Sequence, residues 1–397
     1  MRAKIACDAA AGRKSGSVDP TASSAAPPPR LWSLDVLRGS CALVVFISHW
    51  HLWSDFAPTG RAERFVRAFG ENCYDAFVTL TWPTGGHHPA VICFFVLSGF
   101  CIHYPFAQRA LHGQPIAPWG GYFRRRFQRI MPVYWAACLL GLLLAGLELW
   151  HPSGSELLAL HATAPLSDVV VRFTGLSGLY PREIFAGNYL LSTVAAEMVM
   201  YALYPWFHHH AIRGRWTMLG LVFVTMQVTA VLLLRFFTPF WVFSTVLMFG
   251  LFWYIGALVA HFYVKRGARV HGGAFAASWL TFLGLKMLPH FYGLNVLRQA
   301  AWALVCALGI LWALHHEARH PGSRDHPLVV AMRYSGRISY SLYSMHSPAI
   351  MLATWLLVMA GTHDYFLQLA ATFTASIAAT LLTYYGVERV FYRPRVT

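Results

Sequence analysis

The chain has 397 residues, of which 57% are hydrophobic and 12% charged, and its mean hydropathy is +0.47. That is too little charge and too much apolar surface for a water-soluble domain of this length, so the class is a polytopic, all-α membrane protein. The formal net charge of +15 does not indicate a nucleic-acid partner, because the cations sit in short segments between apolar runs, where a topology signal belongs.

Residues 1–30 are rich in Ala, Ser, Pro and Gly and carry Arg2, Lys4, Arg13, Lys14 and Arg30 without an apolar run. They read as a disordered cytoplasmic tail ahead of a membrane domain over 31–397. Mainly apolar runs follow at 31–53, 88–107, 130–150, 186–206, 216–234, 239–262, 273–288, 296–315, 338–359 and 365–386, each long enough to span or nearly span a bilayer. With the N-terminus inside, the tails and alternate loops 108–129, 207–215, 263–272 and 316–337 hold 22 of the 31 Lys and Arg residues, against 8 in the opposite loops and the span ends beside them. The asymmetry predicts a bundle of about ten transmembrane helices with both termini cytoplasmic, in the plasma (inner) membrane. Loops 54–87 and 151–185 then face out. The seven cysteines are scattered without metal-like spacing and read as small apolar fillers.

The first span, Ser33-Leu-Asp-Val-Leu-Arg-Gly to His49-Trp50, carries Asp35, Arg38 and His49. Arg38 and His49 fall within about 20° of one another on a helix, roughly 16 Å apart along it. Ionisable groups in a span are costly and face a cavity or pathway; the alternative is a helix-end anchor in which Asp35 partners Arg38. In the second span, Phe94-Phe-Val-Leu-Ser-Gly-Phe100, the small pair Ser98-Gly99 lets another helix backbone approach closely. Four arginines crowd Phe123-Arg-Arg-Arg-Phe-Gln-Arg129 ahead of Pro132 and Tyr134, either as a plain cytoplasmic anchor or as a fork-shaped phosphate site. Glu197, among the apolar residues of the fourth span, needs a partner or a proton. Ser339, Tyr343 and His346 share one helical stripe, which is also the pattern of interhelical polar glue.

In order, these stretches resemble the integral-membrane acyltransferase 3 family, which includes bacterial O-acetylases of surface polysaccharides and acylators of secondary metabolites. The resemblance rests on Leu34-Asp-Val-Leu-Arg-Gly with ten residues between Arg38 and His49, on Phe94–Phe100, and on Arg125, Arg126, Arg129, Pro132 and Tyr134. It extends through Glu197 and Tyr201, Gly336-Arg-Ile-Ser-Tyr-Ser-Leu-Tyr-Ser-Met-His346, and Glu388 with Pro394. Ser192 departs from it, standing where the family usually has Trp. The resemblance implies transfer of an acyl group, acetyl first among them, from acyl-CoA to a hydroxyl of a saccharide or polysaccharide precursor, with no metal. His49, Arg38 and Glu197 are the catalytic candidates. Arg38, Arg126, Arg129 and Tyr134 are candidates for the donor, and Asp35, Ser98, Tyr201, Ser339, Tyr343 and His346 for the pocket.

An alcohol is a poor nucleophile at neutral pH, so a neutral imidazole must take its proton as the new bond forms; His49 either does this or carries the acyl group itself. The distance from Arg38 to His49 compares with the reach of a pantetheine arm, which places a phosphate near Arg38 and the thioester near His49. Three other readings stay open: a secondary transporter relaying protons through His49, Glu197 and His346, acylation of a secreted small molecule such as a macrolide, and a non-enzymatic membrane scaffold. Membrane lipid is a partner in every one of them.

Overall fold

Backbone N–H and C=O groups find no water in hydrocarbon, so an apolar run of spanning length must satisfy them internally, as a helix. The computed structural model describes residues 31–392, apart from 53–55, 84–86, 117, 156–157, 160–165, 180–187, 189, 237–240, 268 and 290–291. All its regular elements are helices. They are α1 Trp32–Leu52, α2 Arg61–Thr81, α3 Pro89–Leu111, α4 Trp119–Trp150 and α5 Leu166–Thr174. Then come α6 Leu191–Ala211, α7 Trp216–Phe236, α8 Trp241–Arg266, α9 Gly272–Lys286 and α10 Tyr292–Arg319. The last two are α11 Pro327–Met359 and α12 Tyr365–Thr383, the latter running on through a π-helical turn, Tyr384–Glu388, to Phe391. The tail 1–30 and Pro394 lie outside the described residues.

Seven of these helices are long and apolar enough to cross a membrane: α3, α4, α7, α8, α10, α11 and α12. The other three expected spans are also helical. The charged residues of α1 and the run His208-His209-His210 in α6 lower their hydropathy, and α9 has only 15 residues. Two boundaries differ from the hydropathy reading. α4 begins at Trp119, so Arg124–Arg129 lie on a helix and not in a loop. Loop 54–87 contains α2, an amphipathic helix with no buried residue, whose Phe65, Val66 and Phe69 are exposed. Its charge hides it from a search for spans.

Close backbone crossings set the frame. Gly99 of α3 lies against the Trp253 carbonyl of α8, and Gly256 of α8 against the Val96 carbonyl of α3; a Cβ at either glycine would strike that oxygen. α1 and α11 cross the same way, with Gly39 against the Met332 carbonyl and Gly336 against that of Asp35. Glycine permits these approaches because nothing projects from its Cα. The start of α1 is fixed by the Glu317 carboxylate at the end of α10, which accepts from the backbone N–H groups of Trp32 and Ser33 at 3.0 and 3.1 Å and from the Ser33 hydroxyl. A carboxylate there also meets the positive end of the helix dipole.

The two described ends of the chain lie at one end of the bundle. Arg38 and Arg129 line the same cavity, and the Arg129 guanidinium sits 5.6 Å from the Tyr392 ring. At the opposite end, α9 ties down the C-terminus of α2: Trp279 donates to the Leu80 carbonyl at 2.8 Å, and the Lys286 ammonium to those of Val78 and Thr79, both at 2.7 Å.

Candidate active site

α1, α3, α4, α6 and α11 surround a cavity lined by charged and polar side chains at one end and aromatic rings at the other. Apart from α1, each wall is a stripe of residues three or four apart. α1 contributes Arg38, α4 Arg126 and Arg129, and α6 Thr193, Glu197 and Tyr201; α3 contributes Ser98 and Cys101, and α11 Ser339 and Tyr343. Eight of the residues singled out by sequence therefore meet on one surface.

The charged end of the cavity is closely tied. Arg38 donates to Asp35 at 3.3 Å and to the Cys101 sulfur at 3.2 Å. Asp35 is buried behind it, so the ion pair and the cavity position hold together and are not alternatives. Arg126 stacks between Tyr122 and Tyr201, 5.7 and 5.4 Å from their ring centres. The Tyr201 hydroxyl donates to the Glu197 carboxylate and accepts from Ser98 at 3.3 Å, which supplies the partner that a carboxylate among apolar residues requires. Glu388 accepts from Ser341 at 2.6 Å and lies within electrostatic range of Arg129. Cys101 is thus more than a filler, whereas Cys41, Cys138 and Cys306 are buried as expected.

The other end closes on aromatic rings. Phe94 packs on Tyr343 at 5.9 Å, and the Tyr343 hydroxyl bonds to Thr193. One ring layer beyond, His346 lies 6.1 Å from Tyr343 and is fully buried. Its Nδ1 is 2.9 Å from the Leu342 carbonyl and its Nε2 is 2.8 Å from His49 Nδ1. The carbonyl only accepts, so His346 Nδ1 carries a proton. With His346 neutral, its Nε2 accepts from His49 Nδ1–H, and the lone pair of a neutral His49 is then on Nε2. The two rings stack at 5.1 Å, and Trp50 anchors this end of α1 by donating to the Leu369 carbonyl of α12 at 2.9 Å.

Tyr134 stands apart from the cavity. Buried in α4, it donates to the Arg172 carbonyl at 2.8 Å and so positions α5. Sequence reasoning missed His88, which caps α3: its Nδ1 accepts from the Ala90 N–H at 3.2 Å, and its ring lies 6.4 Å from that of His49. The signal was a histidine directly before Pro89 at a helix start. It also missed Glu317, for which a lone acid near the end of a span was the only cue. Among the described residues, no group of three His, Cys, Asp or Glu side chains is arranged to hold a metal.

The model of one protein family, described as an acyltransferase domain, matches residues 31–385. No curated protein and no solved structure matches the chain.

Proposed function

The chain belongs to the acyltransferase 3 family, and from that premise we propose that this multi-pass membrane protein is an O-acyltransferase that moves an acyl group, acetyl first among candidates, from acyl-CoA to a hydroxyl of a saccharide or its polysaccharide precursor. The observation that carries the reading is the hydrogen-bond chain from Leu342 through His346 to His49, which puts the basic lone pair on His49 Nε2, beyond the Phe94–Tyr343 layer that ends a cavity whose other end is cationic.

The donor's phosphates bind Arg38, Arg126 and Arg129, whose planar guanidiniums suit phosphate oxygens. Pantetheine runs along the cavity past Ser98 and Ser339 toward the Phe94–Tyr343 layer, and the thioester reaches His49 once those rings part. His49 Nε2 takes the proton of the acceptor hydroxyl as its oxygen attacks the thioester carbon. The imidazolium that forms donates from Nδ1 to His346, a bond that strengthens as charge develops, and the proton then leaves on the CoA thiolate. Both termini and the arginine-rich start of α4 face the cytoplasm of the plasma membrane, where acyl-CoA is made, and the α2 side faces the acceptor. A proton relay through His346 is less well supported, since its Nδ1 proton is committed to the Leu342 carbonyl.

The test uses membrane vesicles from the native host, deleted for the gene and complemented with it, supplied with acetyl-CoA carrying a labelled acetyl group. Alkali-labile label should appear in the saccharide fraction only in the complemented vesicles. Label that is transported without leaving CoA would favour the transporter.

A further inference from the structure

Three walls of the cavity, followed away from its cationic end, arrive at a histidine. α1 runs from Arg38 to His49, and α11 from Ser339 through Tyr343 to His346. α3 runs from Cys101 and Ser98 through Phe94 and Val91 to His88, in steps of three and four residues. The first two histidines form the base and its support, and His88 has had no role beyond its cap.

Its hydrogen bonds define its proton. Because Nδ1 accepts from the Ala90 N–H, the ring is neutral and carries its proton on Nε2. That proton faces the Ser48 hydroxyl at 3.3 Å, a long contact, and Ser48 already donates to the Val44 carbonyl at 2.8 Å. Trp82 and Phe77 hold the ring from the far side, at 4.7 and 5.9 Å between centres. His49 is also a neighbour of this ring, 6.4 Å away between ring centres. One ring therefore carries a lone pair and the other an N–H, side by side at the ends of α1 and α3 beyond the Phe94–Tyr343 layer.

Attack on a thioester puts negative charge on the carbonyl oxygen, and a preorganised donor aimed at that oxygen commonly supplies a factor of about 10²–10³ in rate. The geometry points to His88 as that donor: its Nε2–H turns from Ser48 to the thioester oxygen while His49 Nε2 accepts the proton of the attacking hydroxyl. The oxyanion collapses by expelling the CoA thiolate, which takes the proton from His49. His88 keeps its own proton throughout, as a neutral imidazole acting as electrophile does. The Ala90 N–H on Nδ1 withdraws density from the ring and strengthens the donor. This role rests on the acyl-transfer reading.

The competing role is that of a cap alone, and two substitutions separate them. His88→Ser keeps a good helix cap but no donor of that reach, while His88→Gln keeps an N–H of similar reach. Initial rates at saturating labelled acetyl-CoA are measured in the vesicles described above, and the dissociation constant for acetyl-CoA is measured on the same variants in nanodiscs. His88→Ser should lose about 10²-fold or more in rate with the dissociation constant unchanged, and His88→Gln should recover at least about tenfold of that loss. A Ser variant within about threefold of wild type, a Gln variant no faster than Ser, or loss of acetyl-CoA binding in the Ser variant would each overturn the assignment. Wild-type vesicles that transfer no acetyl would overturn the enzyme reading along with it, which separates that failure from this one.

Discussion

Replacing His346 by Phe removes the acceptor of the His49 Nδ1 proton while filling the same buried volume. In the resting site the lost bond joins two neutral rings and contributes about 1 kcal/mol. As His49 takes a proton, the bond becomes charge-assisted and roughly doubles, and with Phe in place the imidazolium N–H is left without it in a desolvated site. The transition state therefore loses about 1–2 kcal/mol more than the ground state, which is a rate loss of about 5- to 30-fold. The assay is the initial rate of acetyl transfer at saturating donor, with the dissociation constant for acetyl-CoA measured alongside. That constant should not move, because His346 lies beyond the Phe94–Tyr343 layer and off the cavity wall. A rate within about threefold of wild type would refute the claim that His346 supports His49.

Further outcomes follow from the same geometry. Arg38→Lys keeps the charge but loses the fork that reaches Asp35 and Cys101 together, so donor affinity should fall about tenfold; unchanged affinity, with loss on Arg129→Ala, would move the phosphates to α4. Gly256→Ala drives a Cβ into the Val96 carbonyl and should lower stability by about 1–3 kcal/mol, seen as a lower melting temperature in detergent; an unchanged melting curve would show that the crossing is loose. Glu63 accepts from the Gly60 and Thr59 N–H groups at 2.8 and 2.6 Å, and those bonds hold its pKa below the ordinary glutamate range. Its support of the start of α2 is thus present above that range and fades as pH falls through the lowered value. Amide exchange at Thr59 and Gly60, corrected for its intrinsic pH dependence, should lose protection in acid, and Glu63→Gln should remove that dependence.

The sequence made one dimension of this molecule legible. Helical periodicity placed Arg38 and His49 on one face of α1, and Ser339, Tyr343 and His346 on one face of α11, because those relations depend only on spacing along a single helix. Contacts between helices have no such cue. The bond from His49 to His346 joins residues 297 apart, and the stacking of Arg126 on Tyr201 brings α4 to α6. The first depends on the glycine crossing of α1 and α11, whose partner cannot be read from a string. Tyr134 illustrates the reverse: its motif position suggested the donor site, but its hydroxyl points to the Arg172 carbonyl. α2 escaped notice because a hydropathy reading seeks continuous apolar runs and its apolar residues occupy only one face.

The most direct test of the account is His49→Gln. An amide keeps the size and hydrogen bonding of the ring but has no basicity, so transfer of labelled acetyl from acetyl-CoA should fall by a factor of about 10²–10⁴, with acetyl-CoA bound as tightly as by wild type. A Gln variant that turns over at near wild-type rate would contradict the central claim, because a group that cannot take a proton would then be doing the work assigned to a base.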